Sequence, residues 1–192
     1  MKRIFPFLAL MLLAIPLANA AQSPKVLIKT ELGDITVEIF ADKAPITAAN
    51  FLRYVDNKLY EGSVFVRTVT MDNQPKDEIK IEVIQGGQLA NDKEFPAILL
   101  ERTSITGLKH IDGAISMARG GPDSATSSFF FCVGDQPELD FGGRRNKDGQ
   151  GFAAFGKVTA GRDVVRKIHQ THKENQKLKP PIKIISITRI AA

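Results

Sequence analysis

The residue types from which catalytic sites are usually built are sparse in this chain. Cys132 is its only cysteine, inside the apolar run Phe129-Phe130-Phe131-Cys132-Val133. A thiolate nucleophile needs a base beside it. The three histidines, His110, His169 and His172, show no spacing that would supply one, and they form neither a helix-borne nor a cysteine-paired ligand pattern. Cys132 is therefore read as a small buried hydrophobe, and no metal or cofactor is expected. Arg67, within the expected strand Val64 to Thr70, reads by itself as an ordinary surface arginine of a strand.

The elements that must position any site follow from pattern. Composition is that of a globular protein: 43% apolar and 24% charged, with 15 Gly and 10 Pro in 192 residues. Collagen-like, low-complexity and disordered classes are excluded. Lys2 and Arg3 precede the apolar run Ile4 to Leu17, and Ala18-Asn19-Ala20 closes it. This is the pattern of a secretory signal cleaved after Ala20, too short for a membrane span of about 20 apolar residues. Residues 1–20 are assigned as signal peptide and residues 21–192 as one domain. A periplasmic location is expected, with no membrane anchor after cleavage. Without Lys2 and Arg3, 24 basic residues face 21 acids, a net charge of +3. The basic excess is spread out apart from Lys173 to Lys179, and aromatic residues do not interleave with it, so nucleic-acid binding is not expected. A single cysteine forbids an internal disulfide, leaving the core alone to stabilise an exported chain. A monomer is expected.

Alternation on either side of Leu32-Gly33 predicts a hairpin of Lys25 to Glu31 with Asp34 to Phe40. After Pro45, the residues Ala48, Phe51, Leu52, Val55 and Leu59 form one apolar helical stripe. Further strands are expected at Val64 to Thr70, Lys80 to Gln85, Ala97 to Leu100, Gly113 to Ala118, Ser128 to Val133 and Phe152 to Val158. A second helix is expected over Asp163 to Gln170 and a final strand over Ile182 to Ile190, with Pro180-Pro181 separating them. About eight mostly antiparallel strands with two helices suit a closed barrel, which removes exposed edges, although a sandwich would give similar strands.

Four stretches carry a resemblance: Asn50-Phe51 in the first helix; Phe65-Val66-Arg67 followed by Gln85-Gly86-Gly87; GAISMA at Gly113 to Ala118; and Ser127 to Phe131 ahead of Phe155-Gly156-Lys157-Val158. In this order and approximate spacing the chain resembles the cyclophilin family of peptidyl-prolyl cis-trans isomerases, and especially its exported bacterial members, from Val26 to Ile190. The resemblance implies a mainly β fold, a closed eight-stranded antiparallel barrel capped by two α-helices. It also implies rotation of X-Pro bonds in unfolded or extended proline-containing polypeptides, assisting the folding of exported proteins.

The roles it implies fall on Arg67 as catalytic arginine, within Phe65-Val66-Arg67, and on Phe130 as aromatic floor of the proline pocket. Alternation would turn Phe129 and Phe131 into the barrel. Gln85 would hold the substrate backbone and the arginine. Ala118, Arg119 and Gly120 would lie along the bound chain, Leu139 and Phe152 would form apolar walls, and Phe65, Val83 and Ser128 would complete the binding set.

The departures from the family pattern are specific. Arg67 and Gln85 stand 18 positions apart, roughly ten more than the family pattern has, so Met71 to Glu78 must form a longer arm beside the pocket. With four charged residues and one proline, this arm is expected to be exposed and placed to contact whatever flanks the bound proline. Glu82-Val83 stand where the family has Phe-Met, so one wall is missing or rebuilt. Phe152 replaces a histidine, Glu138 the tryptophan of many eukaryotic members, and Arg119 and Ser128 an Asn and a Gln. These changes favour an alternative: a proline-peptide binding or chaperone-like module with weak or no turnover. An unrelated barrel carrying a small apolar ligand is excluded only by the resemblance.

Overall fold

The computed structural model describes residues 23–191, so the expected leader and its cleavage site lie outside the described residues. The hairpin forms as the alternation predicts, from β1 (Lys25–Thr30) and β2 (Gly33–Ile39). Val26, Ile28, Ile35, Val37 and Ile39 are fully buried on one face. Thr30 Oγ1 donates to the Gly33 carbonyl (2.7 Å) and accepts the Leu32 amide (3.1 Å), which closes the turn. Gly33 adopts a φ of +134°, and a Cβ there would lie 2.8 Å from Val164 Cγ2.

Helix α1 (Pro45–Asp56) starts with proline, whose missing N–H and fixed φ suit the first turn. No side chain of its own caps it. Glu101 does so from across the chain, accepting the amides of Ile46 (3.1 Å) and Thr47 (2.7 Å) at the positive end of the helix. Ala48, Phe51, Leu52 and Val55 are buried as the stripe requires, while Leu59 lies past the helix end and packs partly buried against the same core.

The remaining strands are β3 (Val64–Val69), β4 (Val83–Gly86), β5 (Ala114–Met117), β6 (Phe129–Cys132), β7 (Ala153–Ala160), β8 (Lys173–Glu174) and β9 (Lys177–Ile190). Helix α2 (Thr103–Thr106) follows β4, and helix α3 (Arg162–Gln170) follows β7. Strand order is β1-β2-β7-β5-β6-β4-β3-β9, and β9 pairs back with β1. The result is a closed, eight-stranded antiparallel barrel, to which the two-residue β8 is appended through β9. Among the described residues, closure leaves no long edge strand unpaired.

The barrel interior is filled largely by rings. Phe51 of α1 lies 5.5 Å from Tyr60, 5.5 Å from Phe129 in an edge-to-face arrangement and 5.2 Å from Phe155. The Phe129-Phe130-Phe131 run divides as alternation demands: Phe129 and Phe131 belong to this interior cluster, Phe130 to a second cluster on the outer face.

Two expectations need correction, and one element was not anticipated. Ala97 to Leu100 is not a strand; only Ile98 bridges to Ala125, its amide donating to the Ala125 carbonyl (3.0 Å). The four-residue α2 went unforeseen because it is too short to show an apolar period. Most instructive is Pro180-Pro181, which does not stop β9. On the β3 side, the pairing jumps from Lys177 to Ile182, so the prolines occupy a gap in which no ladder donor is required of them.

Phe51 joins the helix to three other rings with no exposed surface. Phe51→Ala should therefore cost about 3–5 kcal/mol. The expected outcome is a lowered urea midpoint with an unchanged m-value, measured by equilibrium unfolding.

Candidate active site

The site begins with an irregularity in β3. Residues 65 and 67 of a regular strand share a face. Here Phe65 pairs with Gly86 and Ile182, but Arg67 pairs with Gln85 and Lys177, so the register slips at Val66 against both neighbours. This bulge turns Phe65 into the barrel, where it is fully buried 6.0 Å from Phe129 and 6.3 Å from Phe131. It leaves Arg67 outside. The expectation that Phe65 lines the binding pocket is thus corrected: it supports the barrel beneath.

On the outer face Arg67, Ile81, Val83, Gln85, Ala118, Arg119, Phe130, Leu139, Arg145, Asn146 and Phe152 line a pocket of about 240 Å³. Phe130 is its floor, 4% exposed, with Phe152 edge-on at 5.3 Å. Leu139, Val83 and Ile81 join the same apolar cluster. The structure thus brings together Arg67, Val83, Gln85, Ala118, Arg119, Phe130, Leu139 and Phe152 of the expected set. Ser128 stands one contact behind, its Oγ accepting from Gln85 Nε2 (3.1 Å). Gly120 is exposed off the pocket, its amide donating to Ser124 Oγ (3.1 Å), while the Ala118 amide donates to the Ser128 carbonyl (2.9 Å). Gly120 therefore lies outside the lining expected to include it. A larger groove of about 480 Å³ between β3 and the β8–β9 turn shares Arg67 but lacks an aromatic floor.

Arg67 is held entirely by neutral oxygens. Its Nη1 donates to Gln85 Oε1 (2.9 Å), while Nε (2.9 Å) and Nη2 (2.6 Å) both donate to Gln176 Oε1. With five N–H groups on a guanidinium, one proton on each terminal nitrogen remains available. Burial pushes the Arg67 pKa down, the nearby Arg145 cation pushes it further, and Asp77 partly offsets them; the group stays protonated. Among the described residues no carboxylate hydrogen-bonds to it, so no direct ion pair neutralises the cation.

The wall lost with the Phe-Met pair is rebuilt. Ile81 and Val83 face the pocket, and Glu82 between them turns toward His169 (3.9 Å). The inserted arm is only partly as expected: Met71, Asp72, Pro75, Lys76 and Glu78 are exposed, but Gln74 is 1% exposed. Gln74 Nε2 donates to the carbonyls of Thr70 and Ile81 (both 2.8 Å), and its Oε1 accepts the Ile81 amide (3.2 Å). Arg145, from the loop after Leu139, donates through Nη1 to the Ile79 carbonyl (2.6 Å) and pairs with Asp77 (3.1 Å). The two loops therefore lock together over the pocket. Glu138 pairs instead with Arg144 (3.2 Å), away from the pocket lining.

Ile81, Arg145, Asn146 and Gln176 were not legible as site residues, because each arrives from a loop whose course depends on tertiary contacts. A further group hides beneath the floor. His110, 1% exposed, stacks against Phe130 (5.9 Å between centroids), with Nδ1 2.7 Å from Asp140 and Nε2 3.0 Å from Ser116 Oγ. The order Ser-His-Asp is that of a nucleophilic triad. Ser116 has no exposed surface, so the trio braces Phe130 rather than meeting a substrate. Cys132 is buried and its thiol pKa is raised, chiefly by burial, which makes it inert as a nucleophile.

Arg119 stacks over Phe152 (5.1 Å), and each of its guanidinium nitrogens donates one hydrogen bond, Nη1 and Nη2 to the two oxygens of Asp148 (2.7 and 2.9 Å) and Nε to the Gly151 carbonyl (2.8 Å). The Asp148 pKa falls to about 2, first through the Arg119 hydrogen bonds and then through the Gln150 amide. Its folded pKa lies below the unfolded value of about 3.9, so this stabilisation is complete above pH ~5 and lost as pH falls toward 2. Asp148→Asn should consequently lower the urea midpoint at neutral pH, and the difference from wild type should close as pH approaches about 2. Urea midpoints measured across that pH range test this.

Comparison with known proteins agrees with this geometry. Residues 25–189 match the family model described as cyclophilin type peptidyl-prolyl cis-trans isomerase/CLD. A peptidyl-prolyl cis-trans isomerase of Acinetobacter baylyi is 38% identical over 88% of this chain and 87% of its own length. Peptidyl-prolyl cis-trans isomerase A of Dickeya dadantii is 36% identical over 83% of this chain and 78% of its own. In fold, a cyclophilin-type isomerase of Cryptosporidium parvum, crystallised in the presence of the dipeptide Ala-Pro, superposes with a TM-score of 0.70. It shares 22% identity, covering 88% of this chain and 99% of that one. With its arginine, glutamine and aromatic floor assembled on one face of a closed barrel, this chain belongs to the cyclophilin-type peptidyl-prolyl cis-trans isomerase family.

Proposed function

We propose that this isomerase acts on extended, proline-containing stretches of exported polypeptides and so speeds their folding. The observation that carries the catalytic part is Arg67, a cation hydrogen-bonded only to neutral glutamine oxygens at the wall of a pocket floored by Phe130. Rotation about a peptide bond must break partial double-bond character, a barrier of about 18–20 kcal/mol. In the twisted state the proline nitrogen regains its lone pair and the carbonyl loses its resonance charge. Phe130, Leu139, Val83 and Ile81 offer an apolar seat for the proline ring, which removes water from the adjoining amide. The free N–H groups of Arg67 can then donate where the lone pair develops, a contact stronger in the twisted state than in the planar one. Because the arginine is already oriented by Gln85 and Gln176, no reorganisation accompanies the step. No bond to the protein is made or broken.

The export part of this reading is supported by the leader: Lys2 and Arg3, the apolar stretch to Leu17, and Ala18-Asn19-Ala20. Export would bring the isomerase to newly translocated chains, whose prolyl isomerisation takes tens to hundreds of seconds uncatalysed and can limit folding.

Arg67→Ala should lower turnover on a proline peptide at least tenfold, about 1.4 kcal/mol of transition-state stabilisation, with little change in melting. Arg67→Lys should recover little, since a point charge cannot replace the planar fork bridging two glutamines. Undiminished turnover in the alanine variant would instead favour a proline-binding module. For export, mass spectrometry of periplasmic protein should find the N-terminus at Ala21; an intact leader or a purely cytosolic protein would refute it.

A further inference from the structure

Gln176 occupies the two-residue turn between β8 and β9, where Asn175 takes a left-handed φ of +56°. A glutamine amide can present either its oxygen or its NH2, and only the oxygen attracts a guanidinium. What selects the oxygen here is the opposite end of the amide: Nε2 donates to the main-chain carbonyl of Asn73 (3.2 Å). A flipped amide would set NH2 against Arg67 and oxygen against a carbonyl, so one hydrogen bond enforces the other.

Asn73 lies in the inserted arm, and its position is over-determined. Its Nδ2 donates to the carbonyls of Thr68 (3.0 Å) and Asn175 (2.8 Å), and its Oδ1 accepts the Thr70 amide (2.9 Å). The Thr68 amide in turn donates to the Gln176 carbonyl (2.9 Å). The arm is thereby fastened both to β3, the strand of Arg67, and to the turn that bears Gln176. We propose that Gln176, and through it Asn73 of the insertion, are positioning residues that fix the Arg67 guanidinium in its productive orientation. The insertion then acts inward on the catalytic cation as well as lengthening the pocket rim. This rests on Arg67 being the catalytic group.

The test is steady-state kinetics on a proline tetrapeptide with Gln176→Ala and Asn73→Ala, each alone and combined with Arg67→Ala. Gln176→Ala is expected to lower kcat about fivefold or more with KM changed less than about twofold, and Asn73→Ala to act in the same direction by less. Both effects should vanish in the Arg67→Ala background, which loss of general stability would not produce. Nitrogen-15 NMR should show the Arg67 Nε–H signal sharp in the wild type and broadened or lost in both single variants. Gln176→Met, similar in length but without an amide, repeats the measurement should the alanine variant fold poorly. Unchanged kcat in Gln176→Ala and Gln176→Met while Arg67→Ala remains impaired would overturn the positioning role and leave the isomerase intact. Equal losses with and without Arg67 would overturn it also. Full activity in Arg67→Ala would sink both readings.

Discussion

The rest of the structure depends on holding one cation without neutralising it. Arg67 must be partly buried to face a desolvated amide, and burial alone disfavours the charge, as its lowered pKa records. A carboxylate partner would relieve that cost but would draw the field away from the twisted peptide bond. Two glutamine oxygens, from Gln85 and Gln176, give charge-assisted hydrogen bonds while leaving the net charge in place. The carboxylates nearby are matched to other arginines instead: Asp148 to Arg119, Asp77 to Arg145.

Supplying those oxygens in the right places is a task for the barrel. Gln85 lies directly across the ladder from Arg67 on β4, and Gln176 is delivered by the hairpin that opens β9. Both strands flank β3, so the arginine is gripped from each side of its own strand. The bulge at Val66 is what makes this possible, since without it Arg67 would share the interior face with Phe65. Against β9 the irregularity lies on the other strand, where residues 178–181, Pro180-Pro181 among them, face Val66 alone.

The floor is arranged by similar economy. One run, Phe129 to Phe131, contributes two rings to the barrel core and one to the pocket, so any disturbance of the interior is passed to the floor through the same strand. Beneath Phe130, the buried His110, Asp140 and Ser116 satisfy one another's polar groups, which a site this deep requires. Above it, the arm at residues 71–80 and the loop bearing Arg145 meet through the Ile79 carbonyl and Asp77 and rebuild the wall that the substitution at Glu82-Val83 removed. The rebuilt wall sets the Arg145 guanidinium beside Ile81 and Val83 in the pocket lining.

Much of this was legible in the sequence. The period-2 runs defined the β1–β2 hairpin, because a half-buried strand imposes its alternation directly on residue type, while the apolar run Phe129 to Val133 marked β6, whose geometry sends alternate phenylalanines to opposite faces. The helical stripe behind Pro45 did the same for α1, and Arg67, Gln85 and Phe130 were identified in family order. What only the tertiary structure decided lies where local pattern and global contacts part. A one-residue bulge inverts the face of Phe65 and leaves no mark in composition. Pro180-Pro181, a stop signal locally, is tolerated because the neighbouring strand skips that stretch. The inserted arm looked like solvated chain from its charges, yet Asn73 and Gln74 tie it inward through hydrogen bonds to main-chain atoms far away in sequence. Such bonds depend on where backbone carbonyls come to lie, and every residue carries one, so residue type by itself could not single out Asn73, Gln74 or Gln176 as part of the site.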